Sequence, residues 1–471
     1  MNLTDTIAAV STPRGKGGIA VLRISGDEAL TIADKVFRPK SGAKPSTLAP
    51  RLATYGDILS PLSGKNADGH ATEHVIDSGM ITCFHAPHSF TGENTVEISC
   101  HGGMLVTEEV LGAILVAGAH PAEAGEFTRR AFVNGKMDLS RAEALSTLLE
   151  AQTRGQLALS RAGMQGILSD EIRRIYEDLR SIVGSLYAGI DFPDEDLATL
   201  PPDEILTRTR KAHGALDALC RTYSSGKAVN YGIRTVICGR TNAGKSSLYN
   251  RLVGHDAAIV TDIAGTTRDI LEENVSVGPV LLRLCDTAGL RESTDRVEAI
   301  GIEKARAKMK DAELILAVFD ASSPFTDEDA ALVAQLSALP AATIAIMNKS
   351  DLLPRWDAKC LAAFPSENIL TLSTGTGDGF TALCARIQTL FFNDSLDLSR
   401  DPIVANARQY AALCKAREHL SLATDALENT LTADVACTDL ELAMSSLAEI
   451  DGRAVTEDIV SEIFSHFCVG K

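Results

Sequence analysis

Gly239-Arg-Thr-Asn242-Ala243-Gly244-Lys245-Ser246-Ser247 follows directly on the apolar run Thr235 to Cys238 and has the form GxxxxGKS. Its glycines let the backbone curl until several N–H groups point inward, and the helix expected from Ser247 to Leu252 adds the positive end of its dipole. The stretch is therefore built to cradle phosphate. Lys245 is placed to reach β- and γ-phosphates, and Ser246 to ligate Mg²⁺. A plain glycine turn between strand and helix is the alternative, and three further elements in the right order count against it.

Downstream, Gly265-Thr266-Thr267-Arg-Asp269 offers a threonine to a metal, and the strand-like run Leu281 to Asp286 opens Asp286-Thr287-Ala288-Gly289. An aspartate at a strand end faces Mg²⁺, and a glycine N–H can sense a γ-phosphate. Thr343 to Met347 is another apolar strand, ending in Asn348-Lys349-Ser-Asp351. A carboxylate there accepts from both N1–H and the exocyclic amine of guanine, a donor pair that adenine lacks. Four motifs at strand ends name GTP as the nucleotide. Contacts are expected from Asn242, Ala243, Gly244, Lys245, Ser246 and Ser247; from Thr261, Asp262, Ile263, Ala264, Gly265, Thr266 and Thr267; from Asp286, Thr287, Ala288 and Gly289; and from Asn348, Lys349, Asp351, Ser373, Thr374 and Gly375. Ser246 and Thr267 are the expected Mg²⁺ ligands.

At 471 residues the chain exceeds one ordinary hydrophobic core, so roughly two to four domains are expected. It has no run of about 18 apolar residues and no charged-then-apolar start, which predicts a cytoplasmic or organelle-matrix protein with no membrane segment. The ten cysteines contain no CxxC and read as reduced core residues. A formal charge of −17 argues against broad nucleic-acid binding, because phosphate contacts need clustered Lys and Arg. An RNA substrate would need a local patch or a partner protein to hold it.

Short strands and helices alternate up to about Asn134: Ile19 to Ile24, Val75 to Phe84 and Thr95 to Ser99 read as strands, Asp27 to Val36 as a helix, and Pro39 to Pro50 as an exposed loop. Ser140-Arg-Ala-Glu143 has the form of a capping box that opens a helical regime. Ile172, Ile175, Leu179, Ile182, Val183, Leu186 and Ile190 keep helical spacing until Asp191-Phe-Pro193 stops it. A second helical stretch, Glu204 to about Ser224, leads to a polar hinge at Ser224 to Lys227. Helical spacing resumes from Asn406 to Glu428 and from Asp439 to Phe467, after a polar linker from Asn393 to Asp401. Helices on both sides of the nucleotide-binding part are expected to pack together, which makes that part an insertion.

Over nearly its whole length the chain resembles the tRNA uridine-modification GTPases of the MnmE/TrmE family. The resemblance is carried by Asp5-Thr-Ile-Ala-Ala9, Leu22-Arg-Ile-Ser-Gly26, Ser89-Phe-Thr-Gly-Glu93, Cys100-His-Gly-Gly103, Gly125-Glu-Phe-Thr128, Ile190-Asp-Phe-Pro-Asp-Glu195, the GTPase motifs and the end Ile463 to Lys471. It implies an α/β plus all-α fold: an N-terminal α/β folate-binding and dimerisation domain over 1–134, a helical domain over 135–228 and 394–471, and a Ras-like P-loop GTPase domain inserted at 229–393. It also implies that, with a flavin-dependent partner, MnmG, in a heterotetramer or larger complex, such proteins add a carboxymethylaminomethyl or aminomethyl group to C5 of the wobble uridine of certain tRNAs. The one-carbon unit comes from 5,10-methylenetetrahydrofolate.

Carried over residue by residue, the resemblance puts folate at Arg23, Glu97, Lys136 and Lys471. The glutamine that orients water in Ras-type enzymes is absent, since Leu290 follows Gly289. The family fills that gap with K⁺, held by Asn242, Thr261, Ile263 and Thr266, and with Glu298 to orient water. Lys245, Glu298 and Cys468 are the side chains then expected to act in chemistry. The family further suggests a homodimer paired permanently through the N-terminal domains and cyclically through the GTPase domains. Thr241 stands where relatives commonly have Pro, and Ser373-Thr374-Gly375 replaces a more usual Ser-Ala-Lys or Ser-Ala-Arg. The tail Cys468-Val-Gly-Lys471 has the wrong second and fourth positions for prenylation. A GTP-dependent switch for ribosome assembly shares the GTPase motifs, but such proteins usually carry a basic appendage that this acidic chain lacks. A folate enzyme with a merely regulatory GTPase is the other rival.

Overall fold

The computed structural model describes residues 5–13, 15–65, 71–192, 199–255, 272–285, 309–429 and 433–470. The chain forms two compact units, one of residues 1–146 with 451–471 and the other of residues 147–450.

The first unit is built on a seven-stranded sheet of order β3-β4-β5-β6-β2-β1-β7. Its strands are β1 Ile7–Val10, β2 Ile19–Ser25, β3 Phe37–Pro39, β4 Thr54–Lys65, β5 Ala71–Phe84, β6 Thr95–His101 and β7 His120–Pro121. Leu22, Ile24, Ile81, Val96 and Ile98 alternate onto one face and are fully buried against helices α1, Ala29–Val36, and α2, Met104–Val116. The opposite face carries the cross-strand row Tyr55, Met80, Ser99, Val21, with Ile19 and His101 paired beside it and Ile19, Tyr55 and Met80 exposed. Helix α3, Glu126–Val133, buries Phe127 against Ile7 and Ala9.

Helix α4, Leu139–Glu150, opens two residues earlier than a cap at Ser140 would place it. Asp138 accepts the Arg141 N–H at 2.8 Å instead, and Ser140 is buried inside the first turn. A true capping box sits at Thr153 and Gln156, where α5, Arg154–Gln165, begins. The expected single helix to Phe467 is two, Ala433–Asp451 and Glu457–Ser465, because Gly452 turns the backbone to φ 92° and lies against the Phe132 ring. Phe464 of the second helix and Phe467 just beyond it pack with Leu139 and Ala142, which groups residues 451–471 with the first unit.

In the second unit, α6, Ile167–Asp191, and α7, Pro202–Asn230, bury Ile172, Ile175, Leu179, Ile182, Leu216 and Leu219 against the helices Ala407–Glu428 and Ala433–Asp451. Arg417 pairs with Asp217 at 3.1 Å, and the Tyr223 and Tyr410 rings stack 4.1 Å apart. Helices from before and after the nucleotide-binding part thus share one core. The hinge expected at Ser224 to Lys227 is absent, since α7 runs through it. Small residues there serve close packing: a Cβ on Gly226 would come within 2.0 Å of the Val404 carbonyl, and buried Ser225 accepts the Asn393 N–H at 3.0 Å.

Between these helices lies a six-stranded sheet of order β13-β12-β11-β8-β10-β9. It comprises β8 Ile233–Cys238, β9 Glu272–Val277, β10 Val280–Cys285, β11 Leu314–Asp320, β12 Ala342–Asn348 and β13 Ile369–Thr371. All neighbours are parallel except β9 and β10. The central strands are buried on both faces, which explains their unbroken apolar runs. Strand order reverses at β8, and the crevice beyond the carboxyl ends of such strands is where this architecture takes ligands. Among the described residues, no helix is long and apolar enough to cross a membrane.

Candidate functional site

The chain leaves β8 through Gly239 to Gly244 and enters helix α8, Lys245–His255, at that reversal point. Three residues of the loop have positive φ: Gly239 at 142°, Asn242 at 63° and Gly244 at 107°. Both glycines are also demanded by space, since a Cβ on Gly239 would lie 2.1 Å from the Val318 carbonyl and one on Gly244 2.0 Å from Asn348 Nδ2. The result is a tight backbone ring at a helix N-terminus, the geometry that offers N–H groups to an anion. Lys245 Nζ donates to the Arg240 carbonyl at 2.7 Å, folding back over the loop. Burial holds its pKa below the ordinary lysine value, so this ammonium gains most from an anion brought close to it. Ser246 and Asn242 are exposed at the loop's outer edge.

The end of β12 is tied to this loop. Asn348 is fully buried; its Nδ2 donates to the Ala243 carbonyl at 2.7 Å and its Oδ1 accepts the Thr374 N–H at 3.0 Å. One side chain therefore sets the distance between the phosphate loop and the loop at Ser373 to Gly375. Lys349, with φ 64°, donates to Asp320 at 2.7 Å. Burial raises the Asp320 pKa, but the Lys349 and Ser322 hydrogen bonds outweigh it and leave the carboxylate below its ordinary value. Asp351 is exposed, with Oδ1 fixed by the Ser373 hydroxyl at 2.6 Å. That bond orients the carboxylate and leaves its outer edge open to a pair of N–H donors.

Arg251 escaped the sequence reading. From α8 it donates to the carbonyls of Thr374 at 3.1 Å and Gly375 at 3.0 Å, clamping the second loop to the helix that begins in the first. Nothing in local spacing marks it, since it stands six residues after Lys245 and so on a different face of the helix. Thr261, Asp262, Ile263, Ala264, Gly265, Thr266, Thr267, Asp286, Thr287, Ala288, Gly289 and Glu298 lie outside the described residues.

In the first unit, Arg23 and Glu97 are cross-strand partners on β2 and β6. Arg23 Nε and Nη2 reach Glu97 Oε1 at 3.0 and 2.8 Å, and the guanidinium lies 5.4 and 5.6 Å from the ring centres of Phe90 and Phe127. Lys136 donates to the Pro87 carbonyl at 2.9 Å. On the same sheet face, Ser25, Thr91 and Thr95 form a hydroxyl cluster, and Ser25 donates to Glu93 at 2.7 Å. Glu93 also meets Arg130, which is buried and bound to Glu126 at 2.9 Å. The motifs ending in Glu93 and beginning at Gly125 are thus two sides of one buried charge network, which sequence distance had hidden.

The C-terminal tail runs into this unit. Gly125 has φ 66° and no room for a Cβ, which would come within 2.5 Å of the Phe464 carbonyl; its N–H donates to Cys468 O at 3.4 Å. Val469 bridges Ala124, and Ser11 Oγ donates to the Gly470 carbonyl at 3.1 Å. Ser11 follows β1, whose Ala9 faces Arg23 in register. Lys471 lies outside the described residues, and Cys468 is exposed. Among the described residues, no cluster of His, Cys, Asp and Glu forms a metal centre.

Residues 139–468 match the family described as the MnmE helical domain, and residues 6–136 match the N-terminus of the GTP-binding protein TrmE. A protein of Heliobacterium modesticaldum named tRNA modification GTPase MnmE is 41% identical over 99% of this chain and 99% of its own length. Proteins of the same name from Bacillus licheniformis and Lactobacillus johnsonii are 39% and 38% identical over 99% of this chain, covering 100% and 98% of their own lengths.

Proposed function

The chain belongs to the MnmE family of tRNA modification GTPases, a GTP-hydrolysing enzyme of tRNA modification, and on that premise we propose how its two sites divide the work. The second unit binds GTP, with Gly239 to Ser247 around the phosphates and Asp351 on the guanine edge. The observation that carries this reading is the Asn348 brace, which fixes a phosphate cradle and a base-reading carboxylate on one frame. Lys245 would hold the β- and γ-phosphates, and Ser246 with Thr267 would hold Mg²⁺. Asn242, in its positive-φ position at the loop edge, would contribute to a K⁺ site with Thr261, Ile263 and Thr266, and Glu298 would orient water. A cation at that place neutralises charge that builds up during phosphoryl transfer.

The first unit binds a tetrahydrofolate derivative at Arg23, Glu97 and Lys136, and Lys471, the residue after Gly470, would be a further contact. Glu97 keeps one carboxylate oxygen free to accept pterin N–H groups, and Arg23 between two phenyl rings gives a flat, fixed surface. The bound 5,10-methylenetetrahydrofolate supplies the one-carbon unit. Exposed Ile19, Tyr55 and Met80 lie on the Arg23–Glu97 face of the sheet, which supports pairing of two copies through this unit. With a flavin-dependent partner of the MnmG type, the homodimer adds a carboxymethylaminomethyl or aminomethyl group to C5 of the wobble uridine of tRNA in the cytoplasm. The boundaries 1–134, 135–228, 229–393 and 394–471 serve as functional domains in this scheme.

Two titrations test it. Calorimetry with 5-formyltetrahydrofolate should show binding that Arg23→Ala abolishes, while GTP turnover stays the same. Turnover should be fast in KCl and slow in NaCl at matched ionic strength. Folate binding untouched by Arg23→Ala, or equal rates in the two salts, would refute the corresponding half.

A further inference from the structure

We propose that the cleft beside helix α5 is a docking site for the tRNA phosphate backbone, an inference that rests on tRNA being the substrate. The cleft has a volume of about 430 Å³; its polar lining is Arg154, Arg161 and Gln165 of α5 with Ser399 of the loop before the helix Ala407–Glu428, beside the apolar Leu157, Ala158 and Ala162. Arg154 and Arg161 are two turns apart, so they lie on one face about 10.5 Å from each other along the axis. Both are exposed, and neither side chain has a hydrogen bond or ion pair among the described residues.

That freedom is unusual in this chain. Its formal charge is −17, and most other exposed arginines on neighbouring helices are matched, such as Arg174 with Glu171, Arg180 with Glu177 and Arg210 with Glu428. From Ala151 to Ser169 there is no acidic residue at all. The carboxylates closest in sequence to Ser399 are engaged within their own loop: Asp397 accepts the Ser399 N–H at 2.8 Å and pairs with Arg400, and Asp401 accepts the Asp397 N–H at 2.8 Å. Two unpaired guanidiniums on one rim, spaced along a helix, suit successive phosphates of a strand better than one small anion. Gln165 and the Ser399 hydroxyl add neutral hydrogen-bonding groups for ribose.

The start of α5 is also held firmly. Gln156 donates to the Asn230 carbonyl at 2.8 Å, Gln152 accepts from Asn274 of β9 at 2.7 Å, and a Cβ on Gly155 would come within 2.6 Å of the Pro279 carbonyl. A backbone docked here therefore sits on a rigid platform that touches the β9–β10 hairpin of the nucleotide-binding sheet.

The test is tRNA binding to the full-length protein, as a function of salt, for the parent and for Arg154→Glu/Arg161→Glu. Affinity at moderate salt should fall at least tenfold in the variant, and the slope of log K against log salt should flatten by about 1.4 to 1.8, the value for two lost phosphate contacts. GTP turnover and melting temperature serve as controls for folding and should be unchanged. Equal affinity and slope would overturn the proposal, as would a variant that keeps tRNA but no longer binds the flavin-dependent partner, which would make the cleft a protein contact. Nucleoside mass spectrometry of tRNA from cells carrying the parent chain separates the two levels: absence of the modified uridine sinks the tRNA reading and this site with it, whereas its presence alongside equal binding sinks the site alone.

Discussion

Asn348 Nδ2 lies 2.7 Å from the carbonyl oxygen of Ala243, and this buried bond joins the phosphate loop to the strand end that reads the base. Replacing Asn348 with Ala leaves the Ala243 carbonyl and the Thr374 N–H without their partner. Unsatisfied buried groups of this kind cost about 1–3 kcal/mol. We expect a lower melting temperature and GTP affinity reduced about ten- to hundredfold. Normal affinity by calorimetry would show that the two loops hold their spacing without this brace.

Asp351→Asn should weaken GTP and favour xanthosine triphosphate, because the new amide can donate to a 2-oxo group where the carboxylate could only accept. Ser373 donates to Asp351 at 2.6 Å and remains able to bond the amide oxygen, so the side chain should keep its orientation. Competition binding of the two nucleotides reads the outcome, and unchanged preference for GTP would remove Asp351 from the base site.

Gly226 and Ser224 separate a hinge from a packing contact. Gly226→Ala forces a methyl group toward the Val404 carbonyl and should cost about 1–3 kcal/mol through overpacking. Ser224→Ala, at an exposed helical position, should change stability by no more than about 0.5 kcal/mol. The two melting temperatures decide, and a tolerated Gly226→Ala would restore flexibility as the role of this segment.

Glu313 accepts Lys227 Nζ at 2.5 Å and the Arg234 N–H at 3.2 Å, linking α7 to the sheet. Burial raises its pKa, but these two partners outweigh burial and bring it below the ordinary glutamate value. A depressed folded-state pKa stabilises fully above the unfolded value and loses that contribution as pH falls through the folded one. The melting-temperature gap between the parent and Glu313→Gln should therefore be present at neutral pH, begin to narrow below about pH 4.3 and close only as pH falls through the lower folded-state pKa. A gap that persists in acid would assign the effect to packing.

What the sequence made legible follows from range. The phosphate loop and the Asn348 to Asp351 motif are runs of neighbouring residues whose chemistry depends on local backbone geometry, and the apolar strands before them announce their own burial. Asn348 as a brace, Arg251 as a clamp and the Glu93–Arg130–Glu126 network act across dozens of residues. Nothing in local spacing marks them. The hinge misreading at Ser224 to Lys227 has the same root, for small polar residues signal either a turn or a close approach, and only Val404 on the opposing segment tells which. Asp138 displaced Ser140 as the cap because Leu139 and Ala142 had to face Phe464.

Nucleoside mass spectrometry of tRNA bears most directly on the function. A strain lacking its own MnmE-type protein would be supplied with this chain or with Lys245→Ala, and the wobble uridine measured in both. The parent chain should restore the aminomethyl-type substituent at C5, and the Lys245→Ala strain should retain unmodified uridine. Unmodified uridine with the folded parent chain present, or full modification with Lys245→Ala, would contradict a GTP-dependent tRNA modification enzyme.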